Sequence, residues 1–194
     1  MRVVAGSAGG VPLEVPRGDA VRPTMDRVKG AIFSSLGELV PGARVLDLFA
    51  GTGALGIEAL SRGSASAVFV ESDRQAAETI QRNLDKTRLD GVVRRADVFA
   101  FLDRATSVFD LIFADPPYAK AAGERDFGAD LLRSPALPRA LAPDGLLILE
   151  KMPRVPLPEI VGWECVRLKK YGSTEVAFLR WNSRAKVEPD PAKP

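Results

Sequence analysis

Residues 47–56 read Asp47-Leu48-Phe49-Ala50-Gly51-Thr52-Gly53-Ala54-Leu55-Gly56. They follow a short apolar run, 44–48, that is typical of a buried strand, and they lead into 54–62, which indicates a helix. The glycines allow the backbone to turn sharply and to approach a bound ligand closely. A strand, a glycine-rich turn and a helix in this order predict a parallel α/β sheet that binds a nucleotide-type cofactor at its carboxyl edge.

The same alternation continues along the chain. Further strands are predicted over 65–70, 92–95, 109–114 and 145–150, and further helices over 74–86, 99–104 and around 130–141. Repeated βα units imply a parallel sheet with right-handed crossovers and helices on both faces. The two runs 163–171 and 175–181, separated by Gly172-Ser173, predict an antiparallel hairpin that closes one sheet edge.

The regions before and after this pattern are simpler. Two β-leaning runs, 2–5 and 11–15, flank Gly9-Gly10 and predict a small hairpin. A helix is expected to begin with Thr24 as its N-cap and to end near Gly37 or before Pro41-Gly42. Its predicted apolar face consists of Val28, Ile32, Phe33 and Leu36. We therefore expect a hairpin extension over 1–23, one main domain over 24–181, and a polar, proline-containing, disordered tail over 182–194.

Composition limits the chemistry. The chain has 194 residues, of which 46% are hydrophobic and 27% are charged, as in one soluble domain. It has no histidine and a single cysteine, Cys165, which argues against a zinc site, a Ser-His-Asp triad and an intramolecular disulfide. No apolar stretch is long enough to span a bilayer, and the N-terminus lacks the apolar core of a signal peptide. We expect a cytoplasmic protein without a metal or a membrane partner, whose chemistry uses carboxylate, tyrosine, lysine or backbone groups.

A second motif, Asp115-Pro116-Pro117-Tyr118, follows the predicted strand 109–114. The exocyclic amine of a nucleobase is a poor nucleophile because its lone pair is delocalised into the ring. A site that methylates it must accept hydrogen bonds from the amine and hold the base flat. Asp115 and the carbonyl of Pro116 offer the acceptors, the proline pair restricts the backbone, and Tyr118 offers a stacking face. The alternative interpretation is an ordinary turn at the end of a strand.

The glycine-rich turn permits two kinds of cofactor. Gly51, Gly53 and Gly56 match a dinucleotide fingerprint, and Glu71 lies twenty positions after Gly51, where it can bind ribose hydroxyls, so NAD is one candidate. Asp47 favours S-adenosylmethionine, because a carboxylate at the strand tip repels a pyrophosphate and attracts a sulfonium and an ammonium group. The alternative role for Asp47 is to order the loop by accepting from nearby amides.

Two further groups of residues are candidates for binding. Asp97 follows the third predicted strand, where it can accept from an adenine amino group while Val98 or Phe99 packs against the ring; alternatively, Asp97 is a helix N-cap. Basic residues cluster near both ends of the chain, at Arg17, Arg22, Arg27 and Lys29 and at Arg167, Lys169, Lys170 and Arg180. These residues form either a rim that binds nucleic acid or an ordinary solvated surface.

Taken together, the motifs resemble those of class I S-adenosylmethionine-dependent methyltransferases, and within them the RsmD family of small-subunit ribosomal RNA guanine-N2 methyltransferases. The resemblance covers nearly all of residues 2–181. It depends on Arg22-Pro23-Thr24, Asp26-Arg27-Val28, the run from Asp47 to Gly63, Glu71, Asp115-Pro116-Pro117-Tyr118, and Lys170-Tyr171-Gly172-Ser173-Thr174. The Asp-Pro-Pro-Tyr motif alone is shared with other amino methyltransferases, including those that act on DNA adenine.

This resemblance implies a Rossmann-like, seven-stranded, mostly parallel sheet with a reversed last hairpin. It implies that S-adenosylmethionine lies over Gly51 and Gly53, with Glu71 at the ribose, Asp97 at the adenine, and Asp115, Pro116, Pro117 and Tyr118 at the target guanine. The full set of expected cofactor residues is Thr24, Asp47, Phe49, Gly51, Thr52, Gly53, Glu71, Ser72, Asp97 and Val98. The residues expected to bind substrate RNA are Arg17, Arg22, Arg27, Lys169 and Lys170.

The expected partner is small-subunit ribosomal RNA or an assembling small subunit, and we expect a monomer. Three other functions remain open. The first is the same chemistry on DNA adenine or cytosine, or on a protein glutamine. The second is an NAD-dependent oxidoreductase, which Asp47 and the lack of a histidine disfavour. The third is an RNA-binding module without activity, which intact site motifs disfavour.

Overall fold

The computed structural model describes residues 1–15, 23–118, 124–153, 155–172 and 174–183. One sheet contains the seven strands found in these ranges, in the order β3-β2-β1-β4-β5-β7-β6. The strands are β1 (Arg44–Leu48), β2 (Ser66–Glu71), β3 (Val92–Arg95), β4 (Phe109–Ala114), β5 (Leu141–Lys151), β6 (Trp163–Tyr171) and β7 (Thr174–Trp181). The pairs from β3 to β5 are parallel, whereas β5–β7 and β6–β7 are antiparallel. The mostly parallel sheet with a reversed final hairpin is confirmed.

Helices cover both faces of the sheet. They are α1 (Pro23–Leu36), α2 (Ala54–Ser61), α3 (Arg74–Thr87), α4 (Val98–Arg104), α5 (Phe127–Arg133) and α6 (Ala136–Ala140). One apolar core joins α1, α2 and α3 to the sheet, and a second core on the opposite face joins α4, α5 and α6. Because β1 and β4 are covered on both sides, all their residues except Arg44 and Asp110 are buried, and most of the buried ones are apolar.

Helix α1 confirms one prediction and corrects another. Val28, Ile32, Phe33 and Leu36 are all buried, as expected for its apolar face. Thr24 is not the N-cap, because the helix already includes Pro23. Proline is favoured at a first helical position, where its missing N–H and fixed φ cost nothing. The helix ends at Leu36 and continues as a 3-10 turn, Gly37–Leu39.

The predicted fifth strand and the helix before it also differ from the structure. Strand β5 begins at Leu141, not Gly145, although its pairing with β4 shifts between Phe109 and Leu111. Pro143 lies in this early part of β5. Because proline has no N–H to donate to a sheet ladder, its presence argues against a strand at the sequence level. The helical region predicted as one unit is two helices, since Ser134 and Pro135 interrupt it.

The N-terminal residues pair as predicted but only briefly. A single antiparallel bridge joins Arg2 to Pro12, and the Val3 amide donates to the Val11 carbonyl over 2.9 Å. The segment is fastened to the helices by the fully buried Glu58, which accepts from the amides of Val4 and Ala5 and pairs with Lys29 over 3.2 Å. The N-terminal segment is thus part of the packed structure around α1 and α2.

Strand order determines where a ligand can bind. From β1 the chain passes to β2 on one side, while β4 pairs with β1 on the other side, so the connections diverge at the carboxyl ends of β1 and β4. In open α/β sheets this point forms a crevice that ligands occupy. Both sequence motifs, at 47–56 and at 115–118, begin at this crevice. Within the ranges described above, no helix is long and apolar enough to cross a membrane.

Candidate active site

The turn after β1 needs its glycines for two different reasons. Gly53 is the N-cap of α2 and has φ 75°, a left-handed conformation that a residue with a Cβ rarely adopts. Gly56 has no such φ, but a Cβ built on it would lie 2.3 Å from the ring of Phe69. This close approach brings α2 against β2 and holds the turn near the tips of both strands.

Glu71 lies beside this turn, as predicted for a ribose-binding carboxylate. It ends β2, and its Oε2 accepts from the Gly51 amide over 2.8 Å. Its Oε1 accepts from the Asp73 amide over 2.8 Å, and the Ser72 hydroxyl is 3.5 Å away. A carboxylate has about four acceptor positions, so these contacts leave capacity for ligand hydroxyls. The contacts also fix the position of the side chain before any ligand binds.

Asp47 is buried rather than exposed on the crevice wall. Only 2% of it is accessible, and its Oδ2 accepts from the Gly56 amide over 2.8 Å. Burial raises the pKa of Asp47 to about 8, and the charges of Asp115 and Glu71 act in the same direction. The loop-ordering role considered from the sequence is therefore present. Asp47 also lies near the acids Asp115 and Glu71, and a cationic ligand would stabilise the ionised forms of this group.

The burial of Asp47 predicts an unusual pH dependence of stability. The pKa is raised on folding, so the folded protein binds more protons than the unfolded chain between about pH 4 and pH 8, and the free energy of unfolding should fall as pH rises through this range. Asp115, whose pKa is raised to about 7, adds in the same direction. Asp47→Asn should flatten this fall and stabilise the protein at pH 8 by on the order of a few kcal/mol.

Urea unfolding of the ligand-free protein at a series of pH values measures this effect. The matched control is Asp90→Asn, because Asp90 is exposed and lies in the turn after α3. If the Asp47 variant keeps the wild-type pH slope, Asp47 is ionised in the folded protein.

The expected adenine side of the crevice contains an aromatic cluster. Asp97 is exposed and caps α4 by accepting from the Ala100 amide over 3.0 Å, so its alternative role as an N-cap is present. Val98 is buried in the core beneath α4, which leaves the half-buried Phe99 as the ring that can pack against a ligand. Phe127 packs on both Phe99 and Phe49, with ring centroids 6.4 and 5.9 Å apart.

Phe127 and its neighbour Arg125 were not predicted from the sequence. The Arg125 guanidinium lies 4.6 Å from the ring centroids of Phe99 and Phe127 and pairs with Asp130 over 2.7 Å. The one feature of the sequence that points to Phe127 is that it is aromatic within a stretch otherwise rich in alanine, glycine and charged residues. Phe49, at the start of the glycine turn, has φ 55°, a strained conformation for a residue with a Cβ.

The motif at 115–118 lies at the tip of β4 and opens onto a separate cleft. Asp115 is half-buried, Pro116 is buried, and Pro117 and Tyr118 are exposed. The cleft is open to solvent and has a volume of about 80 Å³, and its lining includes Pro116, Pro117, Tyr118, Gly128, Met152 and Leu157. An open, mostly apolar cleft beside a carboxylate suits the flat face of an extruded base.

A further acid, Glu150, lies at this cleft and was missed from the sequence. It belongs to the carboxyl end of β5, and it accepts from the Tyr118 hydroxyl over 3.0 Å and from the Thr174 hydroxyl over 3.1 Å. Burial, and to a lesser degree the charge of Glu150, raise the pKa of Asp115 to about 7. Burial and the charge of Glu150 also raise the pKa of Tyr118. A single glutamate at the end of an apolar strand gives no sequence signal of these contacts.

Among the basic residues expected to bind RNA, those within the described part of the chain differ in exposure and contacts. Arg27 and Lys170 are exposed, but Lys169 donates to the Ser35 hydroxyl over 2.9 Å and so links β6 to α1. Lys29 is buried with only 4% accessible, which excludes it from a surface rim. Arg17 and Arg22 lie outside the described residues, and so does the side chain of Thr24.

The remaining cofactor residue, Thr52, connects the glycine turn to the N-terminal segment. Its carbonyl accepts from the Asn83 side chain over 3.0 Å, and the same Asn83 accepts from the Glu14 amide over 2.7 Å. Among the residues whose structure is described, no three acidic, cysteine or histidine side chains are grouped so as to hold a metal ion.

Comparisons with known proteins agree with this arrangement. A putative rRNA methyltransferase of Bacillus subtilis is 40% identical over 186 residues, which cover 93% of this chain and 98% of the relative. Ribosomal RNA small subunit methyltransferase D of Escherichia coli K12 is 32% identical over 192 residues, with 98% and 93% coverage. The solved structure of a putative methyltransferase from Escherichia coli matches with a TM-score of 0.81 and 26% identity, covering 95% of this chain and 99% of that chain.

The family model described as conserved hypothetical protein 95 matches residues 1–180. The match includes the glycine turn after β1, the acids at the tips of β2 and β4, and the final hairpin. With the two curated relatives, it shows that the chain belongs to this family, the RsmD family that its motifs resemble.

Proposed function

We propose that this protein transfers a methyl group from S-adenosylmethionine to the exocyclic N2 amine of a guanine in small-subunit ribosomal RNA. The observation that carries the proposal is that two candidate sites lie at the tips of neighbouring strands. The acid-lined glycine turn follows β1, and Asp115 and the cleft of Tyr118 follow β4, which pairs directly with β1. The curated relatives, named as rRNA methyltransferases over nearly their full length, support the same activity.

The residues at the turn fit S-adenosylmethionine. Asp47, Glu71 and Asp115 lie close enough for the charges of the latter two to raise the proton affinity of Asp47. A cationic ligand stabilises the ionised forms of these acids, so the site favours the sulfonium and ammonium groups of this cofactor and opposes the pyrophosphate of NAD. Glu71 would hold the ribose, and Phe99 would pack against the adenine beside Asp97. The bound cofactor supplies an activated methyl group on a good leaving group.

The chain's own residues would align the acceptor and remove its proton. The Asp115 carboxylate and the Pro116 carbonyl accept hydrogen bonds from the amine, which directs its lone pair toward the methyl group. Tyr118 stacks on the extruded base and keeps it flat in the cleft. After the new N–C bond forms, the nitrogen must lose a proton. Asp115 suits this task because its pKa is raised to about 7, near the working pH.

The direct test is methyl transfer by the purified protein. Small ribosomal subunits and their extracted RNA, taken from cells that lack this protein, are incubated with S-adenosylmethionine carrying an isotope-labelled methyl group. Mass mapping of the digested RNA should find label in N2-methylguanosine at one site. Label in an adenine or in a protein glutamine, or label in no RNA at all, would contradict the proposed substrate. The two RNA forms also distinguish free RNA from the assembled particle as substrate.

RNA binding should divide the basic residues into two kinds. Arg27 and Lys170 are exposed, so alanine at both positions should flatten the dependence of log affinity on log salt by about 0.7 per lost phosphate contact. Lys169→Ala should change this slope little, since its ammonium already binds Ser35. Tyr118→Ala should weaken binding without changing the slope, because stacking releases no counterions. The affinity for a target-loop RNA is measured across a salt series for the wild-type protein and for these three variants. An unchanged slope in the Arg27 and Lys170 double variant would leave these two residues as an ordinary solvated surface.

A further inference from the structure

Glu150 joins three strands at the acceptor cleft. Its Oε1 accepts hydrogen bonds from Tyr118, which follows β4, and from Thr174, which begins β7. The register of β4 and β5 pairs Ala114 with Leu149, so Asp115 and Glu150 are the next residues of the two neighbouring strands. One carboxylate is therefore adjacent to both the stacking residue and the acceptor acid of the proposed site.

We propose that Glu150, itself held by Thr174, is a positioning residue that fixes the Tyr118 ring at the mouth of the cleft for the acceptor base. This inference rests on the proposed function and adds two residues to its substrate side. Glu150 touches neither the base nor the cofactor in this scheme; it acts through the Tyr118 hydroxyl.

The exposure of Tyr118 explains why such a residue is needed. Tyr118 is 36% exposed, so its neighbours in the cleft do not enclose the ring. An exposed ring that must stack on a base loses rotamer freedom when the base binds. A hydrogen bond from the hydroxyl to a largely buried carboxylate restricts the ring before binding, and bonds to charged acceptors are the stronger kind. Thr174 completes the arrangement by restricting Glu150 from the other side.

The same carboxylate has a second effect, on Asp115. The negative charge of Glu150 raises the pKa of Asp115 above the value that burial alone gives. Glu150→Gln separates the two effects, because the amide keeps an oxygen that accepts from Tyr118 and Thr174 but carries no charge. Glu150→Ala removes both the acceptor and the charge.

The ring position can be measured without any methyl transfer. The chain has two tyrosines, so protein labelled with 3-fluorotyrosine gives two fluorine resonances, and Tyr171→Phe assigns them. Glu150→Ala should move the Tyr118 resonance toward that of a solvent-exposed tyrosine, and Thr174→Val should move it part of the way. Glu150→Gln should keep it near the wild-type position, and the exposed control Glu164→Gln should leave it unchanged. An unchanged Tyr118 resonance in Glu150→Ala overturns the proposal, whatever the activity of the protein.

Kinetics on small-subunit RNA give the second measurement. Glu150→Ala should lower kcat/KM for RNA by on the order of tenfold to a hundredfold, as for loss of a hydrogen bond to a charged group, and should leave S-adenosylmethionine affinity within about threefold. Tyr118→Phe removes the same bond, so the double variant should lose little more than the larger single loss. Additive losses would mean that Glu150 acts independently of the Tyr118 hydroxyl and would overturn the proposal.

The pH profile distinguishes positioning from a purely structural role. In Glu150→Gln, the midpoint near pH 7 at which kcat/KM rises should move to lower pH, because Asp115 no longer faces a negative charge. A glutamate needed only for folding would lower the thermal stability of each variant and leave this midpoint in place. If wild-type protein methylates no ribosomal RNA while the Tyr118 resonance still responds to Glu150, the proposed function fails and the positioning contact stands.

Discussion

Asp115→Ala is expected to lower the rate of methyl transfer by on the order of a hundredfold or more while S-adenosylmethionine affinity stays within about threefold. Asp115 directly follows β4, and the next residues, Pro116 to Tyr118, line the cleft, so its carboxylate would contact the acceptor amine and not the adenosine. Its loss removes both a preorganised acceptor and the group that takes the proton. Single-turnover kinetics on small-subunit RNA, with calorimetric titration of the cofactor, measure the two quantities separately.

Asp115→Asn is the matched control for this change. Asparagine keeps one acceptor oxygen and removes the charge, so it should retain more activity than alanine. It should also lose the rise in rate near pH 7 that the ionisation of Asp115 produces. Near-normal turnover in Asp115→Ala would mean that residues 115–118 form only a turn after the strand.

Glu71→Ala is expected to weaken S-adenosylmethionine binding by about 1.5–3 kcal/mol, as for a charged hydrogen bond to the ribose. The structure adds a second reason, because the same carboxylate holds the Gly51 and Asp73 amides in place. Both effects reduce affinity, so the loss should lie toward the upper end of this range. Calorimetric titration with S-adenosylmethionine, with its demethylated product and with NAD measures the change and the ligand preference together.

Two controls make this result specific. Glu71→Gln keeps one acceptor oxygen, enough for one of the two backbone amides that Glu71 holds, so its affinity should lie between those of the wild-type protein and Glu71→Ala. Glu78→Ala, on the exposed side of α3, should leave cofactor affinity unchanged. Saturable NAD binding that is tighter than S-adenosylmethionine binding would contradict the assignment of this site.

Much of the fold could be read from local patterns. The limits of β1, β3 and β4 agree with the prediction, because β1 and β4 are largely apolar runs and β3 begins with a β-branched Val92-Val93 pair. The prediction failed at β5, where Pro143 interrupts a strand that tertiary pairing nevertheless extends to Leu141. The prediction of Thr24 as an N-cap was also wrong. Threonine is a frequent N-cap, but Pro23 precedes it, and proline prefers the first turn of a helix.

The candidate site divides in the same way. Glycine spacing, an acid at a strand tip and the motif at 115–118 are short-range features, so the sequence by itself determined the fold class, the family and the position of the crevice. Only the tertiary structure decided that Asp47 is buried, that Lys169 binds Ser35, and that Glu150 joins Tyr118 to Thr174. The physical reason is distance along the chain. Tyr118 and Glu150 are 32 positions apart, and Ser35 and Lys169 are 134 apart, so only the pairing of strands and the packing of helices bring these groups into hydrogen-bond range.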